Sequence, residues 1–183
     1  MPIIISGGSG GGLPGVTVSG TAASGKTVVA SSSSAAAWAY PPGFEIGYAQ
    51  ITTNANITDT SEATATALIT VTATFDGGAV YAEVFAARVV TPAGAAGDTV
   101  TFTLFEGSTE ITLLGNPRAM IASAGSQWAA PLHLKYKFTP TAASHTYKLC
   151  AFVQDTTGTP VLVAGAGSGA GTAPPSYLRF VKV

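Results

Sequence analysis

The most recognisable chemistry in this chain lies at Gly20–Thr27, Gly-Thr-Ala-Ala-Ser-Gly-Lys-Thr, which satisfies G-x-x-x-x-G-K-[ST] at every fixed position. In a phosphate-binding loop the glycines let backbone N–H groups wrap the phosphates and the lysine reaches their outer oxygens. The Ser or Thr holds Mg²⁺, and a helix starts at once with its N-terminus facing the anion. Here Lys26 and Thr27 are followed by Val28, Val29, Ala30 and Ser31–Ser34, a poor helix former. No βαβ alternation follows, and no apolar strand ending in Asp offers a second Mg²⁺ ligand. A chance match is expected in a segment so rich in Gly, Ala, Ser and Thr, so neither an NTPase nor any cofactor is assigned.

The other reactive side chains are scattered. His133 shares a strand's outward positions with Lys135 and Lys137, and His145 sits in Ser-His-Thr, so both read as surface or turn residues without a metal partner set. Cys150, within Leu149-Cys-Ala-Phe152, reads as a buried inert thiol. Glu83, Glu106 and Glu110 are separated by turns and give no carboxylate pair of glycosidase type. Lys135, Lys137 and Lys148 are expected to form one mildly basic patch on a solvated strand face, and Gly165–Gly171 a loop. No catalytic residue and no metal site is expected, and the chain is expected not to be an enzyme.

The elements that must position these residues follow from composition. The chain has 183 residues with 8 Lys+Arg against 9 Asp+Glu, 9% charged, while more than half of it is Ala, Gly, Ser and Thr. A typical domain carries roughly 25% charged residues. The net charge of −1 leaves no electrostatic footprint for nucleic acid, and no apolar run reaches the ~20 residues of a membrane-spanning helix. A hydrophobic content of 46% excludes disorder driven by charge. One Cys and two His exclude a disulfide framework and a zinc cluster. Met1–Gly8 has no basic residue before its three isoleucines, so synthesis and retention in a cytoplasm are expected.

Residues 1–43 carry a single charge, Lys26, and are dominated by Gly, Ser, Ala and Pro. Such a segment cannot offset its own ordering entropy. Its apolar residues are clustered nonetheless: Ile3, Ile4, Ile5, Leu13, Val16, Val18, then Trp38 and Tyr40. A plain spacer has no use for them. They read as anchors of an extended Gly/Ser-rich arm, ordered against a partner and able to reach on the order of 140 Å. Ala35–Ala37 is too short and too serine-flanked to be a helix.

From Phe44 the period becomes two. Val100, Phe102 and Leu104 alternate with threonines, and Leu132, Leu134, Tyr136 and Phe138 alternate with His133, Lys135 and Lys137. Further strands fit 45–53, 65–75, 79–90, 109–114, 146–154, 160–164 and 177–183, separated by Gly, Pro and Asp turns. Nine short antiparallel strands in residues 44–183 predict an all-β antiparallel β-sandwich, with the jelly roll as the favoured form.

The arm GVTVSGTAASGKTVVASSSSAAAWAYPPG, residues 15–43, resembles a recurrent arm of tailed-bacteriophage virion proteins, in which Gly-Thr-x-x-x-Gly-Lys leads to Ala-x-Trp. Stretches 98–111, 138–152 and 174–183 are similar to the jelly-roll domain behind such arms; 115–131 departs from the pattern. The resemblance implies a non-enzymatic virion protein: a minor tail, fibre or head-decoration component. It further implies a homotrimer of TNF/C1q-like jelly rolls, with arms inserted into other virion proteins.

A second reading is a host-recognition module binding a cell-surface glycan. Its ligand surface would be Trp128 with Arg118 and Gln127, against the commoner case of a packed core tryptophan. An adhesin or surface-layer domain is disfavoured by the expected absence of a signal segment.

Overall fold

A computed structural model describes residues 17–19, 22, 24–30, 35–91, 99–115, 128–153, 159–165 and 173–183. Three strands belong to the arm: β1 (Thr17–Ser19), β2 (Thr27–Ala30) and β3 (Ala35–Ala39). Ten follow: β4 (Glu45–Ile51), β5 (Ala55–Asn56), β6 (Ala67–Thr74), β7 (Val80–Thr91), β8 (Val100–Glu106), β9 (Thr109–Gly115), β10 (Trp128–Phe138), β11 (Ser144–Val153), β12 (Val161–Val163) and β13 (Ser176–Lys182).

The larger sheet is built on β7. The whole of β10 pairs along one side of it, while β12 and β13 share the other, at Arg88–Val90 and Val80–Phe85. In turn β4 pairs β13 and β5 pairs β12, so both pairs form broken but collinear rows. The second sheet runs β6-β11-β8-β9, antiparallel throughout. Counted in chain order, with each collinear pair as one row, the first sheet reads first, eighth, third, sixth. The second reads second, seventh, fourth, fifth. Two interleaved Greek keys of this kind make a jelly roll.

Alternation explains why the sheets stack. Val80, Ala82, Val84, Leu178 and Phe180 point from the first sheet towards Ile69, Val71, Leu149, Phe102 and Leu104 of the second. At the centre Phe75, Phe138, Tyr147 and Phe180 form an aromatic cluster across both sheets, with ring centroids 5.0–6.1 Å apart. Burial, reinforced by Glu106, pushes the Tyr147 hydroxyl up to about 12.

The two outer faces differ. Residues 57–66, with a 3-10 turn at Glu62–Thr64, form a strap tied by Ile57 N–H to Pro160 O and by Val153 N–H to Asp59 O. With Phe105, Lys148 and Cys150 the strap lines a cavity of about 170 Å³, below the range of drug-sized ligand sites. Thr103 and Cys150, on the outward side of the second sheet, are buried. The outward side of the first sheet carries Tyr, Phe, Arg and Lys side chains instead.

In the arm, β3 pairs β1 in parallel and β2 in antiparallel, making a small sheet that forms no ladder with the sandwich among the described residues. Local pairing within the arm was not anticipated by reading it as extended. Ala35–Ala37, too short for a helix, are instead held as strand by Val29 and Ala30 opposite them.

Candidate functional site

Of the described arm anchors, Val18 and Trp38 sit on this small sheet. Val18 lies opposite Ala36 and Val28 opposite Trp38, so Val18, Val28, Ala36 and Trp38 share one face. Ala36 is buried, Val18, Val28 and Trp38 are half-buried, and Val29 on the other face is 43% exposed. The expected anchors Ile3, Ile4, Ile5, Leu13 and Val16 lie outside the described residues.

Tyr40 is engaged within its own chain. Its ring stacks on Phe44 at 4.9 Å and 8°, Lys26 Nζ lies 5.3 Å over it, and its N–H donates to Asp76 Oδ2 at 2.8 Å. Phe44 also closes over Gly25, whose φ is +80°; a Cβ there would fall 2.2 Å from the ring. Gly43 N–H bonds Lys182 O, and Lys182 N–H bonds Phe44 O, both at 2.9 Å. Beneath them Lys182 Nζ meets Asp76 Oδ1 at 2.7 Å, and both side chains are almost wholly buried. Burial alone would raise the Asp76 carboxyl, but Lys182 and the amides of Tyr40 and Gly78 outweigh it and hold it below its ordinary value. Residues 40–44 are thus bolted to β13, and Gly25 and Lys26 of the arm pack against that joint.

The phosphate-loop match takes a different form from its namesake. Thr27–Ala30 is strand β2 where that motif needs a helix, so no helix N-terminus faces an anion beside Lys26.

The dispersed reactive groups find partners that spacing could not reveal. His133 is exposed, as expected, but His145 is half-buried. Its Nδ1 pairs with Glu106 Oε1, and its Nε2 lies 3.1 Å from Thr141 O. The Thr141 hydroxyl lies 3.0 Å from Nε2 and can donate or accept there, so the Glu106 carboxylate, which only accepts, fixes a proton on Nδ1 alone. Glu106 foremost raises the His145 pKa, burial opposing and Thr141 assisting. Cys150 is free and buried, and burial pushes its thiol up. Sequence spacing paired none of Glu83, Glu106 and Glu110, but the strap brings Glu62 to Glu110. Burial, then the Glu110 carboxylate, raise the Glu62 pKa. The expected lysine patch divides: Lys135 and Lys137 project from the first sheet, while Lys148 belongs to the second and bonds Gly107 O at 3.2 Å. Among the described residues no group of three or more His, Cys, Asp or Glu is placed to hold a metal ion. No described helix is long and apolar enough to cross a membrane.

The outward face of the first sheet is the most organised polar surface, and sequence reading missed it. Antiparallel register aligns His133, Phe85, Tyr177 and Gln50 in one cross-strand row, and Lys135, Glu83, Arg179 and Tyr48 in the next. Glu83 is the hub. Its Oε1 meets Lys135 Nζ at 2.8 Å, while its Oε2 accepts from Arg179 Nε at 2.9 Å and Nη2 at 2.8 Å. Lys135 foremost, and Arg179 with it, hold the Glu83 carboxyl below its ordinary value against burial. Lys135 Nζ also lies 3.9 Å over the Tyr81 ring. Phe85, Tyr177 and Tyr48 run across three strand rows with centroids 5.5 and 5.6 Å apart. The signal was present as period-two spacing, Tyr81-x-Glu83-x-Phe85 and Tyr177-x-Arg179, but register alone joins the strands. The other expected ligand surface gains nothing: Trp128 opens β10 opposite Thr91, and its side chain, Arg118 and Gln127 lie outside the described residues.

No protein-family model matches the chain, and no curated protein matches it. Among solved structures, an infectious bursal disease virus structure (Gx strain) is similar at TM-score 0.35 and 11% identity, covering 85% of this chain and 40% of that one. The VP2 subviral particle of the same virus gives 0.35 and 10%, covering 85% and 41%. The CBM22-1 xylan-binding domain from Paenibacillus barcinonensis Xyn10C gives 0.30 and 12%, covering 79% and 99%. This chain spans well under half the length of the viral chains. At such TM-scores these likenesses carry no argument about its role.

Proposed function

We propose that this chain is a non-enzymatic structural component of a bacteriophage virion, a minor tail, fibre or decoration protein that holds to the particle by its arm and displays the jelly roll. The observation that carries the reading is the pairing pattern: among the described residues the arm's strands pair only with one another, and the sandwich's core cluster contains none of them. A single small sheet lacks a second layer to bury its apolar face. Val18, Val28, Trp38 and the arm's other apolar clusters therefore suit burial in a neighbour. The resemblance of residues 15–43 and of three sandwich stretches to virion proteins supplies the class of neighbour, other virion proteins. It also supplies the expected homotrimer, which would multiply the arms' hold through avidity.

The test is incorporation. A chain lacking residues 1–39, which keeps the Tyr40–Phe44 joint, should remain folded and be absent from purified particles. Normal incorporation of that truncation overturns the reading. Light scattering of the full chain should give three times the chain mass.

A further inference from the structure

We propose that the Tyr48 end of the first sheet's outer face is a saccharide site, taking a single pyranose ring. It is independent of the virion reading and goes beyond it. Three observations converge on that spot. Tyr48 closes the row of rings at the edge row β4 and is 45% exposed. Tyr177 lies against one side of it, and no other described ring contacts it. A pyranose presents a face of polarised C–H groups, which the negative face of an aromatic ring attracts.

The second observation is polar. The Tyr48 hydroxyl donates to Gln50 Oε1, which orients the amide. The two Gln50 N–H donors then have no partner among the described residues, and the Tyr48 oxygen keeps acceptor capacity. Sugar hydroxyls require such a donor and acceptor beside the stacking ring.

The third is rigidity. Arg179 lies 5.5 Å over the Tyr177 ring and is fixed by two hydrogen bonds to Glu83, so the floor of the site is ordered before a ligand arrives. A second copy of the chain is a poorer occupant. Beside its rings and Arg179, this face carries Glu83 and exposed His133, Lys135 and Lys137, and both lysine and glutamate are depleted in protein interfaces.

The full chain should be screened against immobilised neutral and acidic oligosaccharides, and the best binder titrated in solution. Tyr48→Ala should weaken binding at least tenfold and Gln50→Ala several-fold, with Val29→Ala on the arm unchanged. Because Gln50 is exposed, the Gln50→Ala result stands even if Tyr48→Ala perturbs the edge strand. No binding of any oligosaccharide at millimolar concentration overturns the proposal. So does binding that survives both substitutions, or binding lost only in Trp128→Ala. Concentration-dependent self-association abolished by Tyr48→Ala would overturn it in favour of a second copy. Particle incorporation of Tyr48→Ala should be normal whichever result is obtained, so failure here leaves the virion reading intact.

Discussion

The arm sheet and the sandwich are both built of short strands with alternating apolar residues, yet among the described residues only the sandwich has a core. In the sandwich, alternation places apolar side chains on facing sheets, and Phe75, Phe138, Tyr147 and Phe180 meet at the centre. In the arm, alternation places Val18, Val28 and Trp38 on one face of a sheet that joins no strand of the sandwich among the described residues. Of the arm's described strand residues only Ala36 is buried. Secondary structure is therefore not what separates the regions. What separates them among the described residues is the facing sheet, which the sandwich strands have and the arm strands do not share.

The largest expected effect breaks the sandwich. Phe180→Ala removes a fully buried ring that touches Phe75, Phe138 and Tyr147, and should cost about 3–5 kcal/mol, read by urea unfolding. Next comes the joint. Asp76→Ala strands the buried Lys182 ammonium and frees the Tyr40 amide, for a loss of about 3 kcal/mol. Because the folded Asp76 carboxyl lies below its ordinary value, its contribution is present above that value and is lost as pH falls through the folded one. Asp76→Ala should accordingly flatten the acid limb of the stability curve.

A smaller effect has the opposite sign. The His145 pKa is raised, so its pairing with Glu106 contributes fully below the ordinary histidine value of about 6.5 and fades as pH rises through the folded value. The chain should lose less than about 1 kcal/mol between pH 6 and pH 9, Glu106 being partly exposed, and His145→Gln should remove the dependence. Smallest for folding is Trp38→Ala, with under about 1 kcal/mol in the isolated chain. Its consequence should appear only as reduced particle incorporation, which sharpens the contrast with Phe180.

The nine sandwich strands were legible because alternation with a buried face is a strong local signal: β8 and β10 read directly from Val100–Leu104 and Leu132–Phe138. The two-residue β5 and the arm strands were not, since Ala55–Asn56 and Ala35–Ala39 carry little strand preference, β1 and β2 are only three and four residues long, and the pairing partner decides. The site residues divide in the same way. Cys150 could be placed from its own strand, whereas the Glu83–Arg179 pair spans 96 positions and the His145–Glu106 pair 39, distances that only the sheet order closes. The Tyr48–Tyr177–Phe85 row was invisible for that reason, as each strand contributes one ring.

The contrast between the regions requires that the sandwich fold without the arm. Deleting residues 1–39 tests this most directly, through the urea midpoint and slope of the truncated chain beside those of the full one. Midpoints equal within error, with an unchanged slope, are the predicted result. A midpoint lowered by the equivalent of 2 kcal/mol or more, on the order of losing a buried side chain, would show that the arm belongs to the domain's core and contradict the account.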